Sequence, residues 1–140
     1  MPAPRVSKGK QTRQAAANAD YMDRMFGPPQ RLPQLAETAL GTGASVTLTQ
    51  ANLLNGLLTG NPGGAATYTL PTGANMDAGA PMNVDEAVDV TIVNINGTNA
   101  ITVATASGWT LVGALGIPLS TSATFRIRKT GAGTFTLFRK

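Results

Sequence analysis

Cysteine and histidine are both absent from this chain of 140 residues. Without cysteine there is no disulfide and no thiolate metal site. Without histidine the usual general base and the commonest metal ligand are missing as well. Ser/His, Cys/His and His-based metal sets are therefore excluded by composition. No Walker-type loop occurs, and the glycine pairs sit where turn duty explains them. No apolar run approaches the length of a membrane span. Arg5, Lys8 and Lys10 mimic the start of a signal peptide, but polar Gln11–Asn18 follows where an apolar core would have to be. From Leu32 to Phe125 there is neither Lys nor Arg, only the acids Glu37, Asp77, Asp85, Glu86 and Asp89.

What is present points to strands. Aromatic residues are 5% and charged residues 13%, against 16 glycines and abundant threonine. That balance suits a tightly turned β-domain with a weakly charged surface. The length suits one domain able to bury a core. The net charge of +4 belongs to the two ends of the chain: Arg5, Lys8, Lys10, Arg13, Arg24 and Arg31 lead, and Arg126, Arg128, Lys129, Arg139 and Lys140 close it. The β-region has no basic residues interleaved with exposed aromatics, which argues against a nucleic-acid partner.

The first 44 residues read as an extended, partly helical arm. Gln11–Met25 has helical propensity, stopped by Gly27 and Pro28-Pro29. Tyr21, Met22, Met25 and Phe26 recur at helical spacing as one apolar patch, which docks either on its own domain or on a partner. Pro33–Leu40 predicts a second short helix ending at Gly41.

Residues 45–140 read as the β-domain, organised around Val88–Thr105 (VDVTIVNINGTNAITVAT). Asn96-Gly97 is a strong hairpin signal, because a type I′ turn needs positive φ at both central residues. Taking those two as the loop pairs Ile92 with Ile101, Val90 with Val103 and Val88 with Thr105, and puts the apolar positions of both arms on one face. Ser45–Thr49, Ala66–Leu70, Trp109–Gly113, Ile117–Ser120, Ser122–Lys129 and Thr134–Arg139 are further strands. Gln50–Leu58 predicts a helix with Leu53, Leu54, Leu57 and Leu58 on one stripe. Gly73–Val84 is irregular, with a helical turn at Asn75–Ala78. A three-residue loop, Gly131-Ala132-Gly133, pairs Phe125 with Arg139, Ile127 with Leu137 and Lys129 with Phe135, and sets Arg126 beside Phe138. The expectation is an all-β fold, an antiparallel β-sandwich of about eight strands, jelly-roll-like.

No catalytic, cofactor or metal residue is expected. Asp85, Glu86 and Asp89 flank the start of a strand, match no defined Ca²⁺ loop and read as a solvated rim. Asn96-Gly97-Thr98 fits the glycosylation pattern, but the turn explains it without secretion. Arg126 and Arg128 point outward from a strand whose Phe125 and Ile127 point inward. They read either as charges protecting a sheet edge or as a band meeting the Asp85–Asp89 patch of a neighbouring subunit.

Tyr68-Thr69-Leu70-Pro71-Thr72-Gly73, Val90-Thr91-Ile92-Val93-Asn94, Ala100-Ile101-Thr102-Val103, Gly108-Trp109-Thr110-Leu111-Val112-Gly113 and Ser122–Gly131 (SATFRIRKTG) resemble a small β-domain of tailed-bacteriophage virions. It recurs in capsid decoration (cement) proteins and in some head or tail fibres. The resemblance spans roughly Ala66–Lys140, and its motifs are patterns of strand and turn. It implies a structural virion protein on the outer capsid surface: a homotrimer whose partner is the major capsid protein and whose arms tie capsid subunits together. The capsid-binding candidates are then Arg5, Lys8, Lys10, Arg13, Tyr21, Met22, Arg24, Met25, Phe26 and Arg31. The alternative it implies is a fibre or host-recognition knob anchored by the same arm. Thirty-odd extended residues reach on the order of 100 Å, and three arms on one trimer recover through multivalency what their ordering costs.

Overall fold

The structure, a computed structural model, describes residues 36–80 and 82–140. Its elements in chain order are β1 (Thr38–Ala39), β2 (Ser45–Thr47), α1 (Gln50–Asn55), β3 (Leu57–Gly60), β4 (Ala66–Thr69), α2 (Gly73–Gly79), β5 (Ala87–Asn94), β6 (Ile101–Ala104), β7 (Trp109–Val112), β8 (Gly116–Ile117), β9 (Thr121–Gly131) and β10 (Thr134–Arg139). The β-rich class read from composition is therefore present. The helix expected over Gln11–Met25 lies outside the described residues.

The strands form a six-stranded sheet, β1-β3-β5-β9-β10-β7, and a four-stranded sheet, β2-β4-β6-β8. From β1 to β8 the chain changes sheet at every strand. β1, β3 and β5 run parallel in the first sheet, and β2, β4 and β6 run parallel in the second. Each coil thus lays one strand on each sheet and stacks on the coil before it, the winding of a short solenoid. The expected antiparallel eight-stranded arrangement is not the one observed. Antiparallel pairing is confined to β5–β9, β9–β10 and β6–β8, and β1 and β3 are strands the sequence reading lacked.

Successive coils repeat one local device. Thr47-Leu48 and Thr69-Leu70 each end a strand by sending a leucine into the core, 1% and 2% exposed. A threonine then caps a short helix: Asn52 N donates to Thr49 Oγ1 and Asn75 N to Thr72 Oγ1, each at 3.2 Å. Such a cap satisfies a backbone donor that a helix start leaves unpaired. Leu48 N donates to Thr69 O (2.8 Å) and Leu70 N to Ala104 O (2.9 Å), so the ladder continues past the strands.

Two helical expectations are corrected by this winding, and a helical turn is extended. The predicted helix Gln50–Leu58 stops at Asn55, because Gly56 takes φ +84° as a left-handed C-cap. Leu57 and Leu58 then enter β3, claimed by β1 on one side and β5 on the other. Leu53 is buried but Leu54 is exposed, so the four leucines share no stripe. Of the helix expected over Pro33–Leu40, residues 36–40 are described and hold β1, whose Thr38 and Ala39 pair with Leu58 and Thr59. The β-fold consequently begins ahead of Ser45. The helical turn expected at Asn75–Ala78 is a longer helix, α2.

The Val88–Thr105 hairpin is also replaced. β5 and β6 lie in different sheets, and neither Asn96 nor Gly97 is among the residues with positive φ. The alternation was nonetheless correct: Val90, Ile92, Ile101 and Val103 are all buried. Asparagine side chains build an open corner instead. Asn96 Oδ1 accepts from Thr98 N (2.8 Å) and Asn99 N (2.7 Å). The buried Asn94 donates through Nδ2 to Asn99 O, Ile117 O and Pro118 O at 2.8, 3.2 and 3.1 Å. Asn side chains that bond nearby backbone favour such turns as readily as a tight hairpin.

The last hairpin follows the sequence register. Phe125 faces Arg139, Ile127 faces Leu137, Lys129 faces Phe135 and Arg126 faces Phe138. Gly131 pairs with Thr134 first, and a register shift between Thr134 and Phe135 restores the expected partners. Both sheets contribute to one core, with Leu58, Ile92, Phe125 and Ile127 from the first and Tyr68 and Ile101 from the second. Trp109 stacks on Phe135 with ring centroids 5.2 Å apart and donates from Nε1 to Pro71 O at 2.6 Å.

Candidate functional site

Two features of the described residues carry side-chain chemistry: a charge ladder on the outer face of the first sheet, and an uncharged cleft between the coils. The ladder follows from strand register. Asp89 on β5 is the partner of Arg126 on β9, and Ala87 is the partner of Arg128. Arg126 Nε donates to Asp89 Oδ1 at 2.8 Å and Nη2 to Oδ2 at 3.1 Å, a two-pronged pairing. Lys140 Nζ adds a bond to Asp89 Oδ2 at 2.9 Å. Arg128 pairs with Asp85, which takes a left-handed φ of +73° just before β5.

Glu86 does different work. Its carboxylate accepts from Asn83 N (2.7 Å) and Asn83 Nδ2 (2.9 Å), closing the turn that leads into β5. Lys129 turns away from the ladder to Asp77 on α2 and to Met82 O, while Asp77 Oδ2 accepts from Gly133 N at 2.8 Å.

These bonds set the ionisation of the acids. The hydrogen bonds from Arg126 and then Lys140 pull Asp89 down to about 2, and the Arg126 guanidinium is pushed up by its bond to Asp89. The Asn83 bonds hold Glu86 below the usual carboxylate range. Lys129 first and the Gly133 amide second do the same for Asp77. Every acid so affected is favoured as its anion, the opposite of what a general acid at neutral pH needs.

Within one chain Asp89 on β5 pairs with Arg126 on β9, Asp85 just ahead of β5 pairs with Arg128, and Glu86 is held by Asn83. The reading of Arg126 and Arg128 as guards of a sheet edge is corrected: β9 lies between β5 and β10, well inside the sheet. Arg5, Lys8, Lys10, Arg13, Tyr21, Met22, Arg24, Met25, Phe26 and Arg31 lie outside the described residues. Among the described residues no three His, Cys, Asp or Glu side chains cluster as metal ligands would.

The chain matches no protein-family model, no curated protein and no solved structure.

The cleft, of about 570 Å³, was not anticipated from the sequence. It opens where the two threonine corners stack, and Thr47, Thr49, Gln50, Thr69, Thr72 and Asn75 supply its polar groups. Buried Leu48 and Leu70 form part of its lining. Gly79 of α2 admits the Gln50 side chain of α1, since a Cβ there would strike it. The lining contains hydroxyl and carboxamide groups and no ionisable side chain. Such a wall of neutral donors and acceptors can hold an uncharged, hydroxyl-bearing molecule. The signal that could have revealed it is the repeated Thr-Leu followed by a capping threonine and an asparagine.

Proposed function

We propose that this chain is a structural virion protein, a capsid cement protein that binds the outer capsid surface as a trimer and uses its N-terminal segment as a tether between capsid subunits. The observation that carries the reading is how the phrases resembling the phage β-domain meet in space. Pro71 of the first accepts the Trp109 indole of another. Gly73, Gly108 and Gly133 pack backbone to backbone, with Gly108 Cα 3.1 Å from where a Gly73 Cβ would stand. Pro71, Gly73, Gly108 and Trp109 of the resembling phrases thus help to lock the fold, which suits a domain used for its shape and durability. The ion pairs add to this: the charged groups Asp85, Asp89, Arg126, Arg128 and Lys140 satisfy one another.

Removing Met1–Arg31 tests the proposal. The shortened protein should stay folded and trimeric by light scattering yet no longer co-sediment with capsids. Retained capsid binding would refute the tether. A second reading, a host-recognition knob, draws on the uncharged hydroxyl-lined cleft, which suits a neutral glycan. Glycan-array binding that is lost on filling the cleft with Ala78→Trp would favour it over the cement role.

A further inference from the structure

Asn96-Gly97 is a motif whose expected turn duty the structure removes. Gly97 has no positive φ, and a Cβ there would meet nothing closer than Ser120 Oγ at 3.8 Å. An Asn-Gly pair has its own chemistry. The Gly97 amide nitrogen can attack Asn96 Cγ, forming an N–C bond while the Cγ–Nδ2 bond breaks. Ammonia leaves with the amide proton, and water then opens the succinimide at either carbonyl to give aspartate or isoaspartate. Glycine permits this because no side chain obstructs the approach.

We infer that Asn96 is a latent deamidation site kept closed by the stacked coils, with Asn61 as the positioning residue. The Asn96 carboxamide is held at both ends. Its Oδ1 takes the amides of Thr98 and Asn99 at 2.8 and 2.7 Å, and its Nδ2 donates to Asn61 Oδ1 at 2.8 Å. Asn61 follows β3 and Asn96 follows β5, so the clamp joins corners of successive coils. Asn99 Nδ2 to Pro62 O (3.0 Å) and Ile95 N to Gly60 O (3.0 Å) fix the same two corners together. Attack on Cγ requires the carboxamide to swing toward its own following amide, a near-attack geometry that gives up these bonds. The leaving nitrogen is the atom that Asn61 holds.

Conversion would remove the clamp itself. An aspartate at position 96 has no donor for Asn61 Oδ1, and an isoaspartate lengthens the backbone inside the corner. Asn55-Gly56, the other Asn-Gly pair of the chain, is held by a separate bond from Asn55 Nδ2 to Thr38 Oγ1 at 2.7 Å. It serves as an internal reporter of general unfolding.

The test follows aspartate and isoaspartate at positions 55 and 96 by peptide mapping of the full chain in mildly alkaline buffer. In the native protein, position 96 should convert about a hundredfold more slowly than in the urea-unfolded chain, from three modest hydrogen bonds acting together. Asn61→Ala should raise conversion at 96 about fivefold, the worth of one such bond, with 55 unmoved. Asn61→Asp, which keeps the acceptor, should leave 96 at the native rate. Equal native and unfolded rates, no change in Asn61→Ala, a parallel rise at 55, or release by Asn61→Asp would each overturn the inference.

Discussion

Asp89 and Arg126 stand opposite one another on β5 and β9, and the guanidinium meets both carboxylate oxygens. The folded value of Asp89, about 2, lies below the value of about 3.9 for an unfolded aspartate. The stabilisation is therefore fully present above that unfolded value and drains away as pH falls toward the folded one. Thermal melts of the wild type and Asp89→Asn should differ at neutral pH and converge in acid. Both side chains are more than a third exposed, so screening limits the neutral-pH gap to about 0.5–1 kcal/mol. A gap unchanged on acidification would contradict the pairing.

The parallel winding predicts which engineered crosslinks close. Thr59 and Val93 are partners on the parallel strands β3 and β5, so Thr59→Cys with Val93→Cys should oxidise to a disulfide within one chain. Val88→Cys with Thr105→Cys spans the far end of the hairpin that the sequence alone predicts and should stay reduced, because β5 and β6 belong to different sheets. Native cysteine is absent, so non-reducing peptide mapping reads both cleanly. Closure of the second pair and failure of the first would restore the hairpin.

Glycine content here has unequal consequences. A Cβ on Gly73 would collide with the Gly133 carbonyl and crowd Gly108 Cα, both backbone, whereas a Cβ on Gly64 would meet nothing within 4 Å. Gly73→Ala should cost about 3 kcal/mol or more in urea unfolding, as backbone overpacking does. Gly64→Ala should stay within about 0.5 kcal/mol of wild type. Similar midpoints for the two would remove the three-glycine junction as a support of the fold.

The parts of the fold legible in the sequence were those governed by period-two alternation and by local loops. The faces of Val90, Ile92, Ile101 and Val103 followed from alternation, and the β9–β10 register from asking which loop keeps Ile127 and Leu137 together. Partner choice was not legible. Alternation says which side of a strand is buried but not which strand lies beside it. Asn96-Gly97 invited the nearest partner, while Asn94, a polar residue in a buried strand position, was the sign that a corner follows. Leu57 and Leu58 fit a helix because a leucine run fits either period, and the stop that separates them from α1 is Gly56. The charge ladder was half legible: the residues were singled out, but their pairing depends on β5 lying against β9. The cleft was hidden because its walls come from two coils whose stacking no short window contains.

β9 and β10 lie between β5 and β7 in the first sheet, although both follow β7 in the chain. A ribosome therefore delivers the coiled half first, with the β5 edge bare until the final hairpin slots in beside it. During that interval the uncapped edge of the parallel coil can recruit a strand from another nascent copy.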